Sequence, residues 1–174
     1  DDVLSSDYFD FIWCNGVLHH TKNPYKAFQI TCNCLKKNGY ILVGLYNKIG
    51  RLRTLIRKYL SKVFGSKFIE YFDPTLRNLK LSENEKKSWI NDQYFHPIES
   101  LHTLDEVLDW FDKNEIDYID SIPSADFENF QNYLDIFVKK SKGDKYSRLF
   151  NQFSMIFNKL GSDGGLFVVI GKKK

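Results

Sequence analysis

Asn15-Gly16-Val17, followed by His19-His20, gathers an amide, a glycine and two imidazoles into one short stretch. An imidazole can take a proton from a weakly acidic nucleophile near neutral pH, and a glycine lets the backbone approach a ligand closely. A second polar group lies far along the chain, where His96, Glu99 and His102 recur at spacings of three. On a helix that spacing would stack ligands on successive turns, yet it matches no established zinc signature. These residues fit a metal site, a substrate pocket or ordinary capping and surface bonding, and no metal is assigned. Tyr46, Asn47 and Arg51 form a third set that supplies hydrogen-bonding groups without dictating a ligand. Each histidine also has a plain alternative, as a helix cap or a locally packed side chain.

The elements that would carry these residues follow from hydropathy. Phe9 to Asn15 reads as a strand buried on both faces, since Phe9, Phe11, Ile12, Trp13 and Cys14 leave little polar alternation. Asn23-Pro24 starts a helix with apolar positions at Tyr25, Phe28, Cys32 and Leu35, and Gly39 is placed to close it in the left-handed conformation. Tyr40 to Tyr46 is the next strand. Strand, crossover helix and strand make a parallel, right-handed unit. Ile49 to Phe64 reads as an amphipathic basic helix whose stripe of Leu52, Leu55, Ile56, Leu60, Val63 and Phe64 turns toward the core. Residues 68–100 read as short helices and loops. Thr103 with Glu106 is a capping box for a helix bearing Val107, Leu108, Trp110 and Phe111. Ile116 to Ile122 is a strand stopped by Pro123, and Leu166 to Ile170 is a last strand after Gly164-Gly165. Between them Asp126 to Leu160 reads as one or two helices, with Phe127, Phe130, Tyr133, Phe137, Phe150, Phe153 and Phe157 either lining an acceptor pocket or, as their spacing of three and four favours, marking a buried face.

The ordered set Phe-Asp-Phe-Ile-Trp-Cys-Asn, Leu-His-His, Pro24 and Leu-Lys-Lys-Asn-Gly-Tyr resembles the second half of a class I S-adenosylmethionine-dependent methyltransferase. The resemblance implies an α/β fold, a partial Rossmann-like methyltransferase sheet made of that family's strands 4, 5, 6 and 7. The expected order is 4-5-7-6 with strand 7 antiparallel, and helices are expected on both faces. It implies S-adenosylmethionine as cofactor, with Asn15, Gly16, Val17 and His20 on its methionine end. It implies His20, ahead of His19, as the catalytic base. An acceptor-site insertion at 48–102 would then offer Tyr46, Asn47, Arg51, Tyr94, His96 and Glu99 to a small-molecule O- or N-nucleophile, and a helical insertion would occupy 124–163. No Gly-x-Gly-x-Gly loop precedes Phe9. Asp1 or Asp2 is a candidate remnant of the acidic loop near the adenine. The expectation is therefore a single partial domain, a fragment with weak cofactor affinity and inactive alone, whose first strand has an open edge suited to dimerisation.

The totals narrow the alternatives. A chain of 174 residues with 43% apolar and 16% aromatic content can bury a core. No apolar run approaches the roughly 20 residues of a membrane span. Three cysteines, with Cys32-Asn33-Cys34 too close for a Cys-x-x-Cys pair, fit reduced thiols in the cytoplasm. Net charge is +3, but Lys48 to Lys67 holds seven Lys or Arg and no acid. An anion-binding or nucleic-acid-binding domain built on that helix is thus an alternative, nucleic acid being the less expected partner. A non-enzymatic methyltransferase-like interaction module is another.

Overall fold

A computed structural model describes residues 6–126, 133–157 and 165–174. Its centre is a four-stranded sheet of β1 (Phe9–Asn15), β2 (Leu35–Tyr46), β3 (Ile116–Ile122) and β4 (Leu166–Lys173), in the order β1-β2-β4-β3. β1 runs parallel to β2, while β4 is antiparallel to β2 and β3. Order and direction are those that the resemblance implies.

The crossover from β1 to β2 is α1 (Pro24–Asn33), where Asn23 accepts a hydrogen bond from the Lys26 amide and Pro24 takes the first position. The junction that follows departs from the sequence reading. The helix ends at Asn33 and β2 begins at Leu35, which partners Phe9 before the register breaks and resumes at Tyr40 against Phe11. Asn38, with φ 63°, takes the left-handed turn expected at Gly39. Gly39 is needed for close packing instead, since a Cβ there would lie 2.9 Å from the Lys36 carbonyl.

The main core fills one face of the sheet. α1 contributes Phe28 and α6 (Leu104–Lys113) contributes Val107 and Phe111, packed over Ile41, Val43, Leu45, Phe167 and Val169. The Phe28 and Phe111 rings stack at 5.7 Å. The other face is thinner. Leu42, Ile119 and Ile170 lie under Ile136 of a single 3-10 segment, Tyr133–Phe137. Among the described residues, helices are therefore unevenly shared between the faces. The two-sided burial expected for β1 is corrected accordingly: Phe11 and Trp13 point to the thin face, where Trp13 is 65% exposed. β1 pairs only with β2 among the described residues, so its outer edge is open.

Residues 48–102 form α2 (Leu52–Phe64), α3 (Lys67–Phe72), α4 (Pro74–Asn78) and α5 (Glu83–Phe95) around a small core of Ile69, Leu76, Ile90 and Tyr94. α5 is longer than expected for this stretch, and a Ser82–Glu85 capping box opens it. α2 contradicts the inward apolar stripe: Leu52, Leu55, Ile56, Val63 and Phe64 are exposed, while Arg51, Thr54 and Ser61 are buried. α7 (Lys145–Ser154) likewise exposes Phe150 and Phe153, and Phe157 beyond it, so they do not form the buried face expected. Phe137 is half-exposed, its ring 5.1 Å from Tyr40 and 6.4 Å from Phe11. Phe127 and Phe130 lie outside the described residues.

Candidate functional site

The carboxyl ends of β1 and β2 lie side by side, with Asn15 paired to Gly44 and the Gly16 amide donating to the Gly44 carbonyl at 3.0 Å. In an open α/β sheet this rim is where ligands bind. Gly16 has φ 75° and open space where a Cβ would stand, so the turn needs glycine for its backbone conformation. Gly44 is glycine for a different reason: any Cβ there would collide with the Asn15 side chain. Asn15 Oδ1 is buried and has no hydrogen-bond partner among the described residues. Val17, exposed, leads into the 3-10 turn Leu18–His20.

That turn separates the two histidines. His19 is 1% exposed, its ring 4.4 Å from Tyr46 and 4.2 Å from His20, and neither ring nitrogen has a partner among the described residues. Burial, reinforced by the charges of His20, Arg51, His102 and His96, drives its pKa down to about 3. His19 is thus neutral across the physiological range. His20 is less buried. Its Nδ1 lies 2.9 Å from the Ile98 carbonyl and 3.2 Å from His96 Nδ1, and the two imidazoles stand 4.0 Å apart. The Ile98 carbonyl also lies 2.7 Å from His96 Nδ1, so either ring can donate to it; with the proton on His20 Nδ1, Nε2 is the acceptor nitrogen of the neutral His20 ring.

The segment that reaches the histidines is anchored beyond the tip of β2. The His102 amide donates to the Tyr46 carbonyl at 2.8 Å and the Lys48 amide to the His102 carbonyl at 3.0 Å, while the Ser100 amide donates to the His19 carbonyl at 2.9 Å. These bonds bring residues 96–102 over the strand tips. His96, Glu99 and His102 do not converge, because α5 ends at Phe95 and the chain beyond it is not helical. His96 meets His20. Glu99 ion-pairs with Arg51 at 3.0 Å, and His102 Nε2 lies 2.8 Å from Ser100 Oγ. No group of three metal-binding side chains occurs among the described residues.

The remaining sequence-chosen residues are buried in a polar network. Arg51 donates to the Gln93 side chain at 2.8 Å and to its carbonyl at 3.0 Å, with its guanidinium 3.9 Å from the centre of the Tyr46 ring. Gln93 in turn donates to the Tyr46 hydroxyl at 3.1 Å. Asn47 has both ends of its amide engaged: it donates to Gln152 at 2.8 Å and accepts from the Ile49 and Gly50 amides. Tyr94 is bonded to the Asp73 carboxylate and accepts from Arg57 Nε at 2.8 Å. Tyr46, Arg51, His96 and Glu99 therefore border the histidine corner, whereas Asn47 fixes the loop below it and Tyr94 lies toward Arg57. Sequence reading missed Gln93, which joins the two sets, and Asp73. Asp73-Pro74 was legible as a helix start, since Asp73 caps α4. Nothing in the type or spacing of Gln93 marks it.

Residues 2–81 match a family described as methyltransferase domain. An uncharacterised protein of Methanocaldococcus jannaschii is 30% identical over 116 residues, which are 67% of this chain and 52% of that protein. The chain thus spans about half the length of the curated relative it matches. PKMT2 from Rickettsia typhi superimposes with a TM-score of 0.60 at 15% identity, over 96% of this chain and 36% of that one. The same protein solved in complex with AdoHcy also gives 0.60, over 98% of this chain. At that identity the likeness shows the fold.

Proposed function

We propose that this chain, of the class I S-adenosylmethionine-dependent methyltransferase type, serves methyl transfer from S-adenosylmethionine to an O- or N-nucleophile of a small molecule. The observation that carries the reading is His20, held by the Ile98 carbonyl just beyond the Asn15-Gly16-Val17 turn at the tips of two adjacent parallel strands. The residues fit the cofactor. The Gly16 turn has open space where a Cβ would stand and admits close backbone approach. Asn15, Gly16 and Val17 would hold the methionine end. Bound there, S-adenosylmethionine supplies an electrophilic methyl on a sulfonium.

The protein's own part is alignment and proton removal. His20 Nε2 takes the proton from the acceptor's O–H or N–H, and the Ile98 carbonyl steadies the Nδ1–H of the resulting imidazolium. Neutral His19 and the Tyr46 ring pack behind it and keep water from that side. The segment 48–102 is the acceptor side, with Tyr46, Arg51, His96 and Glu99 at the rim. No helix among the described residues is long and apolar enough to cross a membrane. Cys14, Cys32 and Cys34 are buried and form no disulfide among the described residues, and burial pushes the Cys32 thiol up to about 12, so we place the protein in the reducing cytoplasm and give the thiols no chemistry.

The test is transfer of labelled methyl from millimolar S-adenosylmethionine to a panel of small amines and alcohols. The chain by itself is expected to bind S-adenosylhomocysteine weakly and to form no product; in a protein that adds a glycine-rich cofactor loop to it, the expected labelled product falls by about 10²–10⁴-fold in His20→Gln, the usual contribution of a general base. No product there, together with no binding of S-adenosylhomocysteine, overturns the reading. The open edge of β1, with exposed Phe11 and Trp13, favours a second reading, that of an interaction module completed by another strand. Light scattering that shows a dimer abolished by Trp13→Lys, with no cofactor binding, would favour it.

A further inference from the structure

We propose that a cavity between α2, α4 and α5 binds the phosphate of a phosphorylated small molecule, which is the methyl acceptor; the word acceptor rests on the reading above. The cavity measures about 220 Å3 and is lined by Arg53, Arg57 and Arg77, with Asp73 the one carboxylate among its lining residues. Asp73 is already saturated. Its carboxylate accepts from the Thr75 amide at 2.7 Å, the Leu76 amide at 3.2 Å and the Tyr94 hydroxyl. It fixes the wall and pairs with none of the arginines.

The three guanidiniums have no carboxylate within ion-pair distance among the described residues. Arg53 donates one bond to the Ile156 carbonyl, and Arg57 donates to Tyr94 Oη and Thr54 Oγ1, which sets its plane. The Arg77 side chain makes no hydrogen bond among the described residues. Three positive charges around one satisfied negative charge leave an excess of two, gathered from α2 and α4 into one recess. A phosphate monoester carries about −1.5 to −2 at neutral pH and matches that excess, whereas a single carboxylate does not. Guanidinium forks also suit its oxygens, and hydrogen bonds of that kind are about twice as strong as neutral ones.

The walls of Phe72 and Trp89 fit the apolar body of a small molecule. A recess of this size does not fit the backbone of a polyanion, which would need an extended face. The position also serves the reaction. Gln93 lines the cavity and donates to Tyr46, whose ring touches His19, so the wall of the cavity adjoins the histidine corner.

The experiment is calorimetric titration of the chain with glycerol 3-phosphate and with inorganic phosphate, in wild type, in Arg53→Gln/Arg77→Gln and in the control Lys58→Gln/Lys62→Gln. Circular dichroism melts establish that each variant folds. We expect saturable one-to-one binding of the ester, displaced by inorganic phosphate. The arginine pair should lose at least ~10-fold in affinity, about 1.4 kcal/mol, and the lysine pair should not change. Absence of binding by either probe overturns the proposal. Equal loss in the lysine pair, with steep salt dependence, would mean a diffuse basic face for lipid or nucleic acid and overturns it too. Binding of inorganic phosphate with the ester excluded would mark a free-ion site and remove the acceptor assignment. Because no cofactor is in the cell, these failures leave methyl transfer to be judged by its own assay.

Discussion

α6 and α2 are both amphipathic in sequence, and they sit in the fold in opposite senses. α6 buries its stripe of Val107, Leu108, Trp110 and Phe111 against the sheet, and the Thr103–Glu106 capping box fixes its start. α2 has no side-chain cap, leaves Tyr59, Val63 and Phe64 each at least 65% exposed, and buries Arg51, Thr54 and Ser61. Periodicity identifies a helix and its apolar side. What that side meets is set by the neighbours. For α6 the neighbour is an apolar sheet face, while α2 faces Gln93, Tyr94 and Asp73, whose polar groups need partners.

The contrast makes graded predictions. Phe111→Ala should destabilise the chain by about 3–5 kcal/mol in urea unfolding, because it opens a cavity between α1, α6 and the sheet. Phe64→Ser should change stability by no more than about 0.5 kcal/mol. Comparable losses at the two sites would sink the claim that α2 faces outward.

Next in size is a pH effect at the buried corner. The folded pKa of His19, about 3, lies below the ordinary value, so the unfolded chain binds a proton first. Its contribution is complete above pH ~6.5 and is lost as pH falls toward 3, with a limiting slope of about 1.4 kcal/mol per pH unit. Urea midpoints at pH 7 and pH 5 measure it. His19→Phe should flatten that slope, and an unchanged slope would contradict the buried, neutral assignment.

The smallest effect belongs to the cap. Thr103→Ala should cost about 1 kcal/mol through loss of the bond to the Glu106 amide. Arg51, at the equivalent position of α2, makes no cap, and its loss should act through Gln93 and Glu99 instead. A thermal melt of Arg51→Gln in which Glu99→Gln adds nothing further would show that coupling.

The sheet was the most legible part of the sequence. Strand boundaries at Phe9, Asn15, Ile116 and Ile122 follow from apolar runs bounded by turn residues, and the order follows from the resemblance. Where reading failed, local pattern was overruled by what packs against it. Phe11 and Trp13 look like core because both are apolar, yet the described residues cover their face only thinly, with Phe137 beside Phe11. Asn38, not Gly39, carries the left-handed turn because Gly39 is already required for close approach to Lys36. At the site, Asn15, Gly16 and His20 were legible from type and order. The meeting of His20 with His96 was not, since it depends on Ser100 and His102 anchoring a distant loop by backbone bonds. Gln93 was invisible for the same reason.

The central claim is that the Asn15 to His20 corner is where the cofactor sits. The direct measurement is a nuclear magnetic resonance titration of the isotope-labelled chain with S-adenosylhomocysteine to millimolar concentration, a range that reads weak binding. The account predicts that the amides of Asn15, Gly16, Val17 and His20 shift first and furthest, with those of Arg53 and Arg77 little changed. Shifts centred elsewhere, or none at saturating ligand, would contradict it.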